Sequence, residues 1–163
     1  MKKEQGFSLI ELLIVVAIIA IIAAIAVPSM LSARMAANES GAIQGLRTVG
    51  SAQVAYAAIN NQNFNGLAAL VTAGNLDGRF TAANGFNGYS YAEGEVNGVT
   101  GVTDPAQVFA VLATPVTEGS SGRYTYGINH DQIVRYMDVA SGHQAPMCGA
   151  SPCEANDPIG ISK

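Results

Sequence analysis

From Leu12 to Val27 the chain is an unbroken run of Ala, Val, Ile and Leu. The apolar frame opens earlier, at Phe7, and only Ser8 and Glu11 interrupt it. As a helix, the roughly twenty residues from Phe7 to Val27 span a hydrocarbon core of about 30 Å. The next stretch, "SMLSARMAANESGAIQGLRTVGSAQVAYAAINN", keeps helix formers but becomes amphipathic. Leu46, Val49, Gln53 and Tyr56 fall near one face, as do Leu31 and Met35 further up. The pattern predicts one helix from Phe7 to about Asn60, ~80 Å long at 1.5 Å per residue. Pro28 removes a backbone donor inside it, so a kink is expected there.

Beyond Asn60 the period changes. "NNQNFN" breaks the helix, and "GLAALVTAGNLDG" predicts a short one with Leu67, Leu70 and Val71 inward and Gly74 at its end. Strands are expected at Tyr89 to Ala92 and at Gln107 to Thr114, the latter closed by Pro115. Tyr124, Tyr126 and Ile128 alternate on one face of a third strand. "NHDQ" reads as a turn into "IVRYMDV", its hairpin partner. The fold class is α+β: a long N-terminal helix packed on a three- to four-stranded antiparallel sheet. The expected segments are 1–6 as a leader, 7–28 as a membrane helix, 29–60 as its amphipathic continuation, and 61–163 as a globular head.

Composition narrows the function. Hydrophobic residues make up 49% of the chain, but the excess sits at the N-terminus. Net charge is −4, and no basic run follows the first three residues, which argues against a nucleic-acid groove. His130 and His143 have no cysteine or carboxylate at ligand spacing, and Asp131, Asp138 and Asp157 lack the alternation of a calcium loop. No nucleophile elbow or phosphate-binding loop occurs. No enzyme, metal site or cofactor is expected. Cys148 and Cys153 lie in "CGASPC", a Gly- and Pro-containing tail behind an apolar segment. That context favours one disulfide in an oxidising compartment over two free thiols.

Lys2 and Lys3 place the N-terminus on the cytoplasmic side and the head outside. A removable signal peptide would need a cleavage site near Ala24 to Ala26, but the apolar run is longer than such peptides carry. Ala17, Ala20, Ala23, Ala24 and Ala26 allow close helix approach in lipid, or simply favour helix. Glu11 is the anomaly. A carboxylate inside a span costs about 2.5–3.5 kcal/mol on insertion scales and calls for a partner, unless it sits at the membrane surface. Lys2 and Lys3 are local cations. A cut after Gly6 would create another, the α-amine of Phe7, one helical turn from Glu11 or beside Glu11 of an adjacent chain.

"GFSLIELLIVVAIIAIIAAIAVP" resembles the processing site and N-terminal helix of type IV prepilins and the related pseudopilins. Gly6, Phe7, Ser8, Leu9, Ile10, Glu11 and Leu12 match that pattern in order, and Pro28 falls where the family's proline falls. The likeness covers roughly the first fifty residues. It implies a pilin fold, cleavage between Gly6 and Phe7 by a prepilin peptidase, and N-methylation of Phe7. It further implies that Glu11 neutralises the Phe7 amine of a neighbouring subunit. The implied partners are other pilin subunits, the peptidase, an inner-membrane assembly platform and, before assembly, inner-membrane lipid. The product would be an extracellular filament of the kind used in adhesion or twitching motility. Two departures stand out: Ala20 replaces a glycine common in relatives, and the Cys148–Cys153 loop is tighter than many pilins enclose. A type II secretion pseudopilin and an anchored binding domain that never polymerises are the alternatives. The absence of a C-terminal calcium loop weighs against the first, and the Gly-Phe start with Glu11 weighs against the second.

Overall fold

The structure is a computed structural model and describes residues 7–96, 99–100 and 108–138. Helix α1 runs Leu9–Ile59 and α2 Leu67–Thr72, followed by a 3-10 turn at Gly78–Thr81. The strands are β1 Tyr89–Glu93, β2 Glu95–Val96, β3 Val99–Thr100, β4 Ala110–Pro115, β5 Tyr124–Asn129 and β6 Arg135–Asp138. The chain divides into two compact units, residues 1–34 and 35–163.

In the second unit, helix and sheet share one core. Glu39, Ala42, Leu46, Val49, Gln53 and Ala57 are buried at spacings of three and four along α1. The stripe expected at Leu46, Val49 and Gln53 is there, with Tyr56 half-buried. Further up, Leu31 is 44% exposed, whereas Met35 is half-buried, so the stripe starts at Met35 rather than at Leu31. The helix stops at "NNQN" because Asn61 and Gln62 adopt positive φ (54° and 65°), and the Gln62 N–H turns back to the Ala57 carbonyl at 2.9 Å. Asparagine fills the left-handed capping position that glycine usually takes.

The main sheet is antiparallel in the order β1-β4-β5-β6. Register places Tyr91, Ala113, Tyr126 and Tyr136 in one row across it. Tyr91, Ala113 and Tyr126 in that row are buried, as are Tyr89, Val111 and Ile128 on the same face. Ala113 is fully buried and small, which leaves room between the rings on either side. The helix comes close to this face. A Cβ on Gly45 would overlap the Tyr91 ring (2.8 Å to Cζ), and one on Gly50 would lie 2.9 Å from Ile128 Cδ1. Burying Leu46, Val49 or Ile128 stabilises the fold by about 1.5–3 kcal/mol each.

α2 forms where expected, with Leu67 and Leu70 buried and Gly74 at φ +77° beyond its end. β1 forms where expected but runs one residue past Ala92, to Glu93, and β6 lies within its expected stretch. β4 begins at Ala110, later than the expected Gln107, and Pro115 belongs to the strand instead of closing it. β2 and β3 form a small antiparallel pair, Glu95 with Thr100 and Val96 with Val99, in a stretch expected only to be turn-rich. An Asn-Gly turn, Asn87-Gly88, joins Phe86 to Tyr89 with both residues at positive φ (52° and 75°). Gly6, His143, Cys148, Cys153 and Asp157 lie outside the described residues.

Candidate functional site

Ser8 precedes the first helical residue, and its carbonyl accepts the N–H groups of Glu11 (3.1 Å) and Leu12 (3.3 Å). In return the Ser8 N–H donates to Glu11 Oε2 at 3.0 Å. Ser-x-x-Glu is the sequence signature of a capping box, in which the acidic residue three positions on satisfies a donor the helix cannot. Sequence reasoning gave Ser8 no role, although the four-residue pattern was there to be read. Glu11 also favours the positive end of the helix dipole. One carboxylate oxygen serves the cap, while the other retains lone pairs for a further donor. Phe7 stands just before this turn and is 87% exposed. Thus Phe7, Ser8 and Glu11 share the helix start, and Pro28 lies further along the same helix.

Between these points every residue from Leu9 to Val27 is exposed, including Leu13 at 61% and Ile25 at 72%. An 18-residue window of this helix has a mean hydropathy of 3.2 and none of it is buried. A monomer in water rarely exposes an apolar patch beyond a few hundred Å². The surface therefore calls for lipid or for other chains. The helix is continuous through Pro28, which cannot supply the N–H that would bond the Ala24 carbonyl. Ser32 Oγ donates to the Pro28 carbonyl at 3.2 Å.

A second carboxylate on α1 is placed quite differently. Glu39, 9% exposed, accepts the Arg123 backbone N–H at 3.0 Å and lies 3.7 Å from its Nε. One residue earlier, Asn38 Nδ2 donates to the Ser121 carbonyl at 2.8 Å. These bonds tie the β4–β5 loop to the helix. Nearby, Tyr89 donates to the Tyr124 carbonyl at 2.9 Å. Burial pushes the Tyr89 and Tyr126 hydroxyls well above the usual tyrosine range, and the Glu39 charge adds to the effect. Burial alone pushes Tyr91 up to about 12. These groups stay protonated and act in packing.

The family model for the prokaryotic N-terminal methylation motif matches residues 1–27. The chain is also 43% identical over 74 residues to the type IV wide pilus major component PilA4 of Thermus thermophilus. In these two stretches the chain is similar to type IV pilins. The matched stretch is 45% of this chain and 56% of that relative, so the chain spans little more than half of it. The motif covers the capped start and most of the exposed apolar stretch of α1. The chain's α+β architecture, a long helix against an antiparallel sheet, is the one the resemblance implied. Among the described residues no three His, Cys, Asp or Glu side chains cluster to hold a metal ion.

Proposed function

We propose that this chain is the structural subunit of a type IV pilus. It is made as an inner-membrane precursor with its N-terminus in the cytoplasm. A prepilin peptidase cuts between Gly6 and Phe7 and methylates the new Phe7 amine. An inner-membrane assembly platform then moves the subunit from lipid into an extracellular filament of identical chains. Export oxidises Cys148 and Cys153 to a disulfide. The observation that carries this reading is a methylation motif at the head of an apolar helix that is exposed along its whole first half.

In this mechanism Glu11 has two tasks. It caps its own helix through the Ser8 N–H, and its remaining lone pairs meet the Phe7 amine of a neighbouring subunit. Lipid screens charge weakly, so the pair attracts over a longer range than it would in water, against a desolvation cost for each ion. Docking in register then leaves no unpaired carboxylate in the apolar interior.

Intact-mass measurement of the membrane-extracted protein tests the processing. The expected mature chain starts at N-methylated Phe7 with both cysteines oxidised. A chain that starts near Ser29 would mean a discarded signal peptide and would end the pilin-subunit reading. Two substitutions test the pairing. Glu11→Gln keeps the cap, since glutamine serves in capping boxes, but loses the charge. Glu11→Ala loses both. Both should leave precursor levels normal and reduce surface filaments to few or none. Wild-type filament numbers from Glu11→Gln would remove the charge-pairing mechanism.

A further inference from the structure

The loop that ends α1 is held by a polar knot around Asn65. Gln53 Nε2 donates to the Asn65 carbonyl at 2.6 Å, and the Asn65 N–H returns to Gln53 Oε1 at 3.2 Å. Asn65 Nδ2 donates to the Tyr56 hydroxyl at 3.0 Å. The next residue is a glycine, and its backbone N–H donates to Asn65's own Oδ1 at 2.8 Å. The Gly66 nitrogen is therefore held against the side-chain amide of the asparagine before it. Attack of that nitrogen on the amide carbon is the route by which Asn-Gly sequences lose ammonia, and glycine offers no side chain to block it.

The chain has four Asn-Gly pairs, at Asn65, Asn84, Asn87 and Asn97. Three lie among the described residues, and they differ. The Gly85 N–H is committed to the Ala82 carbonyl at 2.9 Å. Asn87 is fixed in its hairpin turn at φ +52°, with cross-strand bonds between Phe86 and Tyr89 on either side. Only Asn65 of these three receives the N–H of its own following glycine.

We infer that Asn65 is a site of spontaneous deamidation in the folded protein. The step needs water and hydroxide alone. Hydroxide takes the Gly66 amide proton as the Gly66 N–Cγ bond of Asn65 forms. The Cγ–Nδ2 bond then breaks, and Nδ2 leaves as ammonia after taking a proton from water. Water opens the resulting succinimide at one carbonyl or the other, giving aspartate or isoaspartate. Either product removes the amide donor that Tyr56 accepts and puts a new carboxylate near Glu93, whose Oε1 already holds the Leu67 N–H at 3.0 Å. Isoaspartate also lengthens the backbone by one carbon between the Gln53 clamp and α2, so the knot cannot close as before. The chemistry does not depend on whether the chain polymerises.

The test follows the mature full-length protein in detergent micelles, incubated warm at pH 9 and sampled over days. Peptide mapping separates asparagine, aspartate and isoaspartate at each Asn-Gly pair. A parallel sample is kept unfolded in denaturant. Folded protein should convert Asn65 roughly tenfold faster than Asn84 and Asn87, as expected where reacting atoms are pre-positioned. In denaturant the advantage should vanish. An Asn65 that stays intact while Asn84 or Asn87 converts overturns the inference. So does an Asn65 lead that persists unchanged in denaturant, because sequence rather than geometry would then set the rate.

Discussion

Leu13 and Leu46 are the same residue type on the same helix, yet the first is 61% exposed and the second fully buried. The contrast extends to the charges. Glu11 meets its own helix start, whereas Glu39 meets the backbone of a loop more than eighty residues away. One stretch of α1 is a folded part of the head, with its neighbours supplied by the same chain. The other has a finished backbone and an unfinished surface. Helix formation and side-chain burial are thus separate requirements, and a single helix can satisfy the first along its length and the second along half of it.

The strongest way to break this contrast is to truncate the same side chain in each half. Leu46→Ala leaves a cavity at a site with no solvent access and should cost the head about 2–5 kcal/mol. Leu13→Ala truncates an exposed side chain and should shift head unfolding by no more than about 0.5 kcal/mol. Denaturant unfolding of full-length protein in micelles, followed by tyrosine fluorescence, measures both. The tyrosines all lie at or beyond Tyr56, so the signal reports the head. Equal losses for the two variants would mean that the first half of α1 supports the head, contrary to the division drawn above.

A smaller effect is expected at Gly45. Alanine there gains about 0.5–1 kcal/mol in helix propensity. Against that, its Cβ would press into the rigid Tyr91 ring, and overpacking costs about 1–3 kcal/mol. The overlap reaches a ring carbon at 2.8 Å, so the cost should win and Gly45→Ala should destabilise the head. Tyr91 sharpens the test, because its buried hydroxyl has no hydrogen-bond partner among the described residues. Tyr91→Phe removes that orphan group and should be neutral or stabilising. In that background Gly45→Ala should lose less than it does alone. An unchanged loss in a double-mutant cycle would move the clash elsewhere.

How much of this was legible in advance depends on whether the signal was local. The apolar run, the Leu46–Val49–Gln53 face, α2 and the alternation of Tyr124, Tyr126 and Ile128 all follow from periodicity, which neighbouring residues carry. Ser8 was readable too, through Ser-x-x-Glu, and so was the Phe86–Tyr89 turn through Asn87-Gly88. Others were not. Nothing near Gly45 announces that a tyrosine forty-six positions later will sit against it. Glu39 looks like a solvent-facing helix residue until β5 brings Arg123 alongside. Such contacts are decided by strand register, and register is a property of the whole sheet. The candidate site was the more legible part because it is one helix start, written in consecutive residues.

The smallest effect expected is acid sensitivity confined to the head. Asp131 lies in the β5–β6 turn, where it accepts the Ile133 N–H at 2.9 Å and pairs with Arg135 at 2.5 Å. Partial burial by itself would push its carboxyl up. The Arg135 hydrogen bond, the Ile133 N–H and the Arg135 and His130 charges together outweigh that and hold it below the ordinary value of 3.8. A carboxyl with a lowered folded value binds fewer protons folded than unfolded. Its stabilising contribution is therefore complete above the unfolded value and falls away as pH drops below about 4 toward the folded one. The pair is partly solvated, so the loss should be under about 1 kcal/mol. Head unfolding measured from pH 6 to pH 2.5 should show this decline, and Asp131→Asn should flatten part of it. A decline that Asp131→Asn leaves untouched would assign the acid response to other groups.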